Sequence, residues 1–212
     1  MENKSLKTKA YDYIKEKIVN CEYEPGQFLE ERQLVEELGS SRTPIREALT
    51  IIEKENFVKI LPKKGVMVCQ ITLKNIVEIH QAREAIEPNA IISFGNNLSK
   101  ETLFQFREIF EAQITSEYKD IMEIYKIDDD FHRFITSAYH NQYIERLMKE
   151  IYSHTRRIRI MAGKNQEYSK TIPLEHLQII DYILEGNFNK SADILREHLV
   201  ISQINAKKLF MN

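Results

Sequence analysis

The sequence predicts a mainly α-helical protein in which strands are confined to one short hairpin. Only 6 Gly and 5 Pro interrupt 212 residues, which favours long helices joined by short turns over an all-β architecture. Apolar residues recur at helical spacing along most of the chain, whereas strand-like patterns occur only between residues 57 and 68. A chain of this length can form one large domain or two small ones.

The composition excludes several classes of protein. Cys21 and Cys69 form no Cys-x-x-Cys pair, which argues against a disulfide framework or a thiolate zinc site and indicates a reducing compartment. The N-terminus has no continuous apolar stretch, so we expect neither a signal peptide nor a membrane span and predict a cytoplasmic protein. The net charge is −2, and residues 1–70 contain 12 Lys and Arg against 12 Asp and Glu. Any binding of nucleic acid must therefore depend on where the basic residues lie.

The beginning of the chain predicts two helices separated by a turn. The first helix carries an apolar stripe that recurs every four positions, formed by Leu6, Ala10, Ile14 and Ile18. The chain then breaks at Glu24-Pro25-Gly26, and a second helix is expected from about Glu30 to Gly39. Glycine suits the left-handed conformation that often follows a helix end. Only a few residues separate this helix from a third one.

A third helix is expected to open with Thr43 and Pro44. Threonine can cap free backbone N–H groups, and proline fits the first helical position, which needs no donor. The buried face of this helix is formed by Ile45, Ala48, Leu49 and Ile52. Two helices that meet at a tight turn have the geometry that places the second in the major groove of DNA while the first braces it.

A β-hairpin is predicted directly after the third helix. Residues 57–61 and 66–68 are typical of short strands, and Pro62-Lys63-Lys64-Gly65 joins them, so two lysines lie at the tip. Residues 1–70 are therefore expected to form a winged helix-turn-helix of three helices and a hairpin. Arginine at the start of the third helix suits bidentate contact with guanine, and lysine on the wing suits phosphate.

The run from Leu38 to Leu49, with Glu31-Arg32 upstream and the wing sequence downstream, resembles the DNA-binding domain of the GntR family of bacterial regulators. The resemblance covers about residues 5–70. Ser40 stands where the family usually carries Val, which is expected to weaken the packing of the turn slightly. The resemblance implies that DNA is contacted by Arg32, Ser41, Arg42, Thr43, Arg46, Lys64 and Gly65. For each of these residues taken singly, a solvated surface side chain is the alternative.

Residues 71–212 are expected to form an all-α bundle of about six helices. Glycine is sparse and strand patterns vanish in this part of the chain. Pro88 lies inside the first helix and is expected to kink it near Glu87. The helical stretches are predicted at about 72–96, 99–117, 119–138, 141–162, 172–185 and 188–210.

Four potential metal ligands occur in this bundle. Asp128 and His132 are four residues apart and so share one face of a helix. His176 and His198 each share a face with isoleucines, which points both imidazoles toward a core. Three imidazoles and a carboxylate suit a divalent ion, with zinc favoured over nickel or manganese. From spacing alone, hydrogen-bonded core histidines remain the alternative, and either aspartate that follows Asp128 could supply the carboxylate.

The segments around these four residues resemble the ligand-sensing FCD domain of the FadR-type branch of the GntR family. The resemblance implies that Asp128, His132, His176 and His198 hold a metal together, and that the domain senses a small carboxylate. Arg83 matches an arginine of the first sensing helix and could bind that carboxylate, although a surface ion pair with Glu87 is the alternative. The sequence does not decide whether Arg156, Arg157 and Arg159 face the cavity. His80, His140 and His154 match no motif position and are interpreted as structural or surface groups.

These patterns predict a transcriptional regulator that binds a two-fold double-stranded DNA operator as a homodimer. A small carboxylate effector at the metal site would alter the spacing of the recognition helices and hence the operator affinity. Two alternatives are a metal-dependent hydrolase, in which the ion activates water, and a protein-interaction module without a DNA partner. No catalytic base motif accompanies the four ligands, and an enzyme would leave the basic third helix unexplained.

Overall fold

The computed structural model describes residues 4–115, 120–162 and 166–210. The chain divides into two compact units, Met1–Thr72 and Leu73–Asn212. Within the described part of the chain, we find no helix that combines the length and apolar character needed to cross a membrane.

The first unit is the predicted winged helix-turn-helix. A third strand joins the hairpin, because the backbone of Phe28 and Leu29 pairs antiparallel with Met67 and Val66. This strand has only two residues, too few to leave an alternating pattern in the sequence. The sheet has the order β1-β3-β2, with both pairs antiparallel. The elements are α1 (Leu6–Val19), β1 (Phe28–Leu29), α2 (Glu31–Leu38), α3 (Arg42–Lys54), β2 (Val58–Leu61) and β3 (Gly65–Val68).

The core of this unit lies between α1, α3 and the sheet. The predicted apolar faces of α1 and α3 are buried, apart from Leu6, which is 55% exposed. Leu6 is the first residue of α1, so the buried stripe begins one turn later, at Ala10. The buried apolar residues that α1 and α3 contribute are Ala10, Ile14, Ile18, Val19, Ile45, Ala48, Leu49 and Ile52.

Helix α2 ends where the sequence predicts, but the N-cap of α3 lies two residues earlier than predicted. Gly39 ends α2 in the left-handed conformation, at φ 56°, as expected. The predicted capping role of Thr43 is wrong, because α3 begins at Arg42 and its N-cap is the extended residue Ser41. Pro44 consequently lies third in the helix, where its missing N–H still costs no intrahelical hydrogen bond.

The second unit is an all-α bundle that contains each of the six predicted helices. Helix α8 starts about six residues before its predicted beginning and carries Pro173 in its interior, at the cost of one backbone hydrogen bond. Helix α4 likewise runs through Pro88. The predicted residues 116 and 117 of the second stretch lie outside the described residues. The helices are α4 (Leu73–Phe94), α5 (Lys100–Thr115), α6 (Ile121–Ser137), α7 (Gln142–Met161), α8 (Gln166–Leu184) and α9 (Phe188–Lys207).

The interior of the bundle combines an apolar cluster with a buried polar group. Helices α4 and α9 pack closely along one another, and α8 packs on both α5 and α9. Phe110, Phe131 and Ile180 belong to the apolar cluster and are completely buried. The buried polar group comes from four different helices, has residues at most 1% exposed, and consists of Arg83, Glu87, Asp128, His132, His176 and His198.

Candidate metal centre and nucleic-acid interface

Three helices bring four polar side chains to one point inside the second unit. Asp128 and His132 lie one turn apart on α6, His176 lies on α8 and His198 on α9. One ligand atom from each residue lies within 4.8 Å of the others. All four residues are at most 1% exposed. The structure thus brings together the four residues that the sequence singled out.

The carboxylate of Asp128 lies among the three imidazoles. Its Oδ1 atom is 3.3 Å from Nε2 of His176, 3.5 Å from Nε2 of His132 and 3.8 Å from Nε2 of His198. The Nε2 atoms of His132 and His198 are 3.2 Å apart. Each histidine therefore presents the same ring nitrogen to the same space, as ligands of one ion would.

Two further carboxylates hold the outer nitrogens of these rings. Nδ1 of His132 lies 2.7 Å from Oε2 of Glu87, and Nδ1 of His198 lies 2.6 Å from Oε2 of Glu175. Nδ1 of His198 donates a hydrogen bond to Glu175, whereas the contact of His132 with Glu87 is an ion-pair distance outside hydrogen-bond geometry. Because an ionised carboxylate only accepts protons from its neighbours, we assign a proton to each Nδ1, so that a neutral ring has its lone pair on Nε2. Two such lone pairs 3.2 Å apart repel one another unless a proton or a metal ion lies between them.

The electrostatics of the cluster favour ionised carboxylates and neutral rings in His176 and His198. Burial lowers the pKa of His176 far below its usual range, and the nearby His198 lowers it further. Burial also lowers the pKa of His198, against the opposing effect of Glu175. In His132 burial again disfavours the charged ring, but Glu87 and Asp128 outweigh it and raise the pKa. Neutral imidazoles are the form that binds metal.

The carboxyl groups of Asp128 and Glu87 are stabilised in their charged form in spite of their burial. Burial disfavours the charged form of Asp128, but the guanidinium of Arg159 and the ring of His132 outweigh it and hold the pKa well below the usual range. In Glu87 burial is outweighed in the same way by Arg83 and His132, and the pKa falls to about 2. Both groups are therefore ionised at neutral pH, inside the bundle.

Several buried polar atoms of the cluster lack a hydrogen bond. Oδ1 of Asp128 and both ring nitrogens of His176 are inaccessible to solvent and have no hydrogen-bond partner within the described residues. Leaving such a group unsatisfied costs about 1–3 kcal/mol, so native proteins rarely do it without a reason. One oxygen and three nitrogens that face a common space are a donor set that suits zinc and also nickel or manganese. The residues present therefore fit a divalent metal ion.

Arg83 forms an ion pair with Glu87, but inside the bundle. Its Nε donates to Oε1 of Glu87 at 2.6 Å, so the ion pair exists, but both side chains are completely buried and not at the surface. Glu87 in turn contacts His132, which links Arg83 to the metal cluster. The terminal Nη1 of Arg83 is buried and has no hydrogen-bond partner in the described part of the chain.

Arg159 is a second buried cation beside the cluster. It pairs with Oδ2 of Asp128, and its Nη1 donates to Oδ1 of Asp129 at 2.8 Å. Burial, reinforced by the charge of Asp128, raises the pKa of Asp129 to about 6. Arg157 is buried as well, whereas Arg156 is half-buried. Asp128 is the member of the aspartate run that joins the histidines.

Sequence reasoning missed Glu175 and the contacts of Glu87 with His132. Nothing in the spacing identifies Glu175 as a partner of His198, because 23 residues separate them. The three remaining histidines stay outside the four-residue cluster. Nδ1 of His80 contacts the carbonyl oxygen of Ile76 at 2.8 Å, so this buried residue is structural. His140 is exposed and His154 half-buried.

The first unit presents a separate candidate surface for nucleic acid. Gly65 opens β3 at φ 101°, a conformation that favours glycine at the wing tip. Two of the arginines already have acidic partners: Arg46 contacts Glu31 on α2, and Arg32 contacts Glu36 one turn along the same helix. The predicted DNA-contacting residues are all exposed, and they are Arg32, Ser41, Arg42, Thr43, Arg46, Lys64 and Gly65.

Comparison with known proteins yields two family matches in this chain. Residues 6–68 match the bacterial regulatory proteins of the gntR family, and residues 78–200 match the FCD domain. The HTH-type transcriptional regulator YdhC of Bacillus subtilis (strain 168) is 27% identical over 183 residues, which cover 84% of this chain and 80% of YdhC. The HTH-type transcriptional repressor RspR of Escherichia coli (strain K12) is 22% identical, with 89% of this chain and 83% of RspR covered.

The fold also matches solved structures. The crystal structure of a GntR transcriptional regulator from Rhodococcus sp. RHA1 superposes with a TM-score of 0.80 at 18% identity, covering 95% of this chain and 97% of that one. At this identity the likeness establishes the arrangement of helices and strands.

Proposed function

Because this chain belongs to the GntR family of bacterial regulators and carries an FCD domain, we propose that a small carboxylate bound at a metal ion controls its affinity for a DNA operator. The chain is a DNA-binding transcriptional regulator of the GntR and FCD type. Its relatives are transcriptional regulators and not enzymes, so the preference for a regulator over a metal-dependent hydrolase is confirmed. A protein-interaction module without DNA has no support from these relatives.

The convergence of Asp128, His132, His176 and His198 carries the metal part of the proposal. These residues would hold the ion, with zinc favoured and nickel or manganese as alternatives. A metal with open coordination positions supplies a Lewis-acid centre for a carboxylate oxygen. Glu87 and Glu175 fix the orientation of two of the rings, which keeps their Nε2 lone pairs directed at the ion.

Buried arginines support a carboxylate as the effector. The free Nη1 of Arg83 is a donor that no described residue satisfies, so a carboxylate oxygen would find a partner there. Arg159 is committed to Asp128 and Asp129, which makes Arg83 the better candidate for direct contact. The arginine would add charge and orientation to the bond that the metal makes.

The exposed residues of α2, α3 and the wing would bind the operator. One α3 helix reads few base pairs, so a homodimer on two half-sites about one helical turn apart would supply specificity. Arg32, Arg42 and Arg46 suit guanine edges, and Lys64 suits phosphate. Linkage then requires that operator and effector change each other's affinity by the same factor. A cytoplasmic location would give the protein access to both the operator and the effector.

Metal analysis is the deciding experiment. We expect protein purified without an affinity tag to carry about one divalent ion per chain. The Asp128→Ala variant should lose the ion, whereas Asp130→Ala, which removes the exposed aspartate two residues further on, should keep it. The same three samples are then tested for DNA binding on an operator selected from random duplexes. Metal-free wild-type protein would contradict the metal site and leave the DNA assignment standing.

A further inference from the structure

The second unit has an open cleft between α6 and α7. The cleft encloses about 850 Å³ and is lined by the end of α6, the turn after it and the first turns of α7. This volume falls in the range of small-molecule sites. The cleft is distinct from the metal cluster, since none of the four ligands lines it.

Tyr152 and Thr136 form the inner wall of this cleft. Both are buried and both line the cleft. The hydroxyl of Tyr152 donates to the carbonyl oxygen of His132 at 3.0 Å, and the hydroxyl of Thr136 donates to the same oxygen at 3.2 Å. The wall of the cleft is therefore attached directly to the backbone of a candidate metal ligand, one side chain away from the buried cluster.

The ring of Tyr152 contacts one buried and one exposed guanidinium. Cζ of Arg83 lies 5.6 Å from the ring centroid, and Arg83 is completely buried. Cζ of Arg133 lies 5.8 Å from the same centroid, and Arg133 is exposed and lines the cleft. Arg133 makes no ion pair among the described residues. The same ring therefore contacts both the exposed guanidinium of the cleft and the buried guanidinium beside the metal cluster.

The candidate metal site needs an entrance, because its ligands and Arg83 are at most 1% exposed. We propose that the cleft is an outer binding site for the carboxylate effector, where Arg133 docks the anion before it passes Tyr152 to the metal centre. This inference rests on the proposed function. Lys149 adds a second cation to the cleft, while Asp130 and Glu145 balance the overall charge. The attraction for an anion is therefore local to Arg133, which contacts Tyr152 of the inner wall.

Rate measurements can distinguish whether Arg133 belongs to an outer docking site or to the final binding site at the metal. A residue that assists only passage changes the association and dissociation rates by the same factor and leaves Kd unchanged. The probe is oxalate, added to Co²⁺-loaded full-length protein, with the d–d absorption of the metal followed by stopped flow. We expect Arg133→Gln to lower both rate constants about fivefold, because a guanidinium in contact with Tyr152 stabilises the anion at the barrier where it passes the ring.

Two further variants complete the test. Arg146→Gln removes an exposed charge from α7 that does not line the cleft, and it should leave both rates unchanged. Tyr152→Phe removes the hydroxyl that ties the ring to His132, and it should raise both rates. Since Arg133 is exposed, its variant keeps the test decisive even if Tyr152→Phe folds poorly.

The outcomes are distinguishable. Unchanged rates in Arg133→Gln would overturn the outer site while leaving the proposed function intact. A raised Kd caused by faster dissociation alone would also overturn it, because Arg133 would then belong to the final site. If wild-type protein binds Co²⁺ but gives no response to oxalate, the outer site and the carboxylate effector both fail. If it binds no Co²⁺, the metal centre fails as well.

Discussion

Glu31 holds Arg46 in a side-on ion pair across the turn of the helix-turn-helix. Nε of Arg46 donates to both carboxylate oxygens, at 3.0 and 2.9 Å, and Nη2 lies 2.9 Å from Oε2. The pair joins α2 to α3 and leaves Nη1 outside these contacts. The guanidinium is thus oriented in the free protein, which would lower the entropy lost on binding a base.

We expect Arg46→Ala to abolish specific operator binding. A bidentate arginine contact with guanine contributes about 1–3 kcal/mol of discrimination, and this residue lies on the exposed face of α3. Fluorescence anisotropy on a selected operator and on a scrambled duplex measures the effect, and circular dichroism checks the fold. Metal content should stay at the wild-type level. A variant that still binds with full specificity would show that Arg46 is not a reading residue.

Glu31→Gln tests the orientation of that guanidinium. The amide can accept one hydrogen bond but loses the charge that holds Arg46, so we expect the ratio of specific to non-specific affinity to fall about fivefold, or about 1 kcal/mol. Glu36→Gln is the matched control, because it breaks the exposed pair with Arg32. Equal specificity in Glu31→Gln and wild type would mean that DNA alone orients Arg46.

The sequence predicts most of this fold because local signals decide it. Gly39, the apolar face of α3 and the spacing of Asp128 and His132 all act within one or two helical turns. Strand β1 was not predicted, because two residues are too few to show a periodic pattern. Only its pairing with β3 in the folded protein defines it. Helical spacing directed His176 and His198 toward a core, but only the resemblance joined them to Asp128 and His132, because spacing cannot connect helices that are distant in the chain.

The same distinction explains the rest of the candidate site. The sequence could place Glu87 near Arg83, because they lie one helical turn apart. It could not predict that the pair is buried, or that Glu87 contacts His132, since both depend on the packing of α4 against α6. The partnership of Glu175 with His198 likewise follows from the packing of α8 on α9. Long-range contacts of this kind leave no periodic trace in the chain.

Ser40→Val should stabilise the first unit. The hydroxyl of Ser40 is buried without a hydrogen-bond partner among the described residues. Replacing it with an apolar side chain removes the desolvation penalty, and we expect the free energy of unfolding to rise by about 1 kcal/mol. Urea denaturation measures this change. Ser41→Val, at the exposed neighbouring position, is the control and should give no gain.

His176→Ala should lose the metal while the protein stays folded. His176 offers a ring nitrogen that no described residue satisfies, so its removal takes away a metal ligand without breaking a hydrogen bond. We expect less than one tenth of the wild-type metal content by mass spectrometry, together with a lower Tm, since a bound ion stabilises the folded state. His140→Ala removes an exposed histidine and should change neither quantity. Full metal occupancy in His176→Ala would remove this residue from the ligand set.

Metal removal should lower Tm, as loss of the ligand does. Dialysis of wild-type protein against a chelator is expected to lower Tm in the same direction as His176→Ala, and added Zn²⁺ should restore it. The variant should fall further, because it also loses the packing of a buried ring against Phe110 and Phe131. The variant serves as the control, because chelator and Zn²⁺ should leave its Tm unchanged. A chelator effect of equal size in both proteins would point to binding of the chelator elsewhere.

Glu175→Gln should weaken metal binding without removing a ligand. The carboxylate accepts the Nδ1 proton of His198 at 2.6 Å, which orients the ring and makes its Nε2 more basic. The amide keeps the shape but loses the charge, so we expect the metal affinity to fall about tenfold. Competition with a chromophoric chelator measures this affinity. Glu197→Gln changes an exposed carboxylate next to His198 in the chain and should leave it unaltered. Equal affinity in both variants would mean that packing alone holds the His198 ring in place.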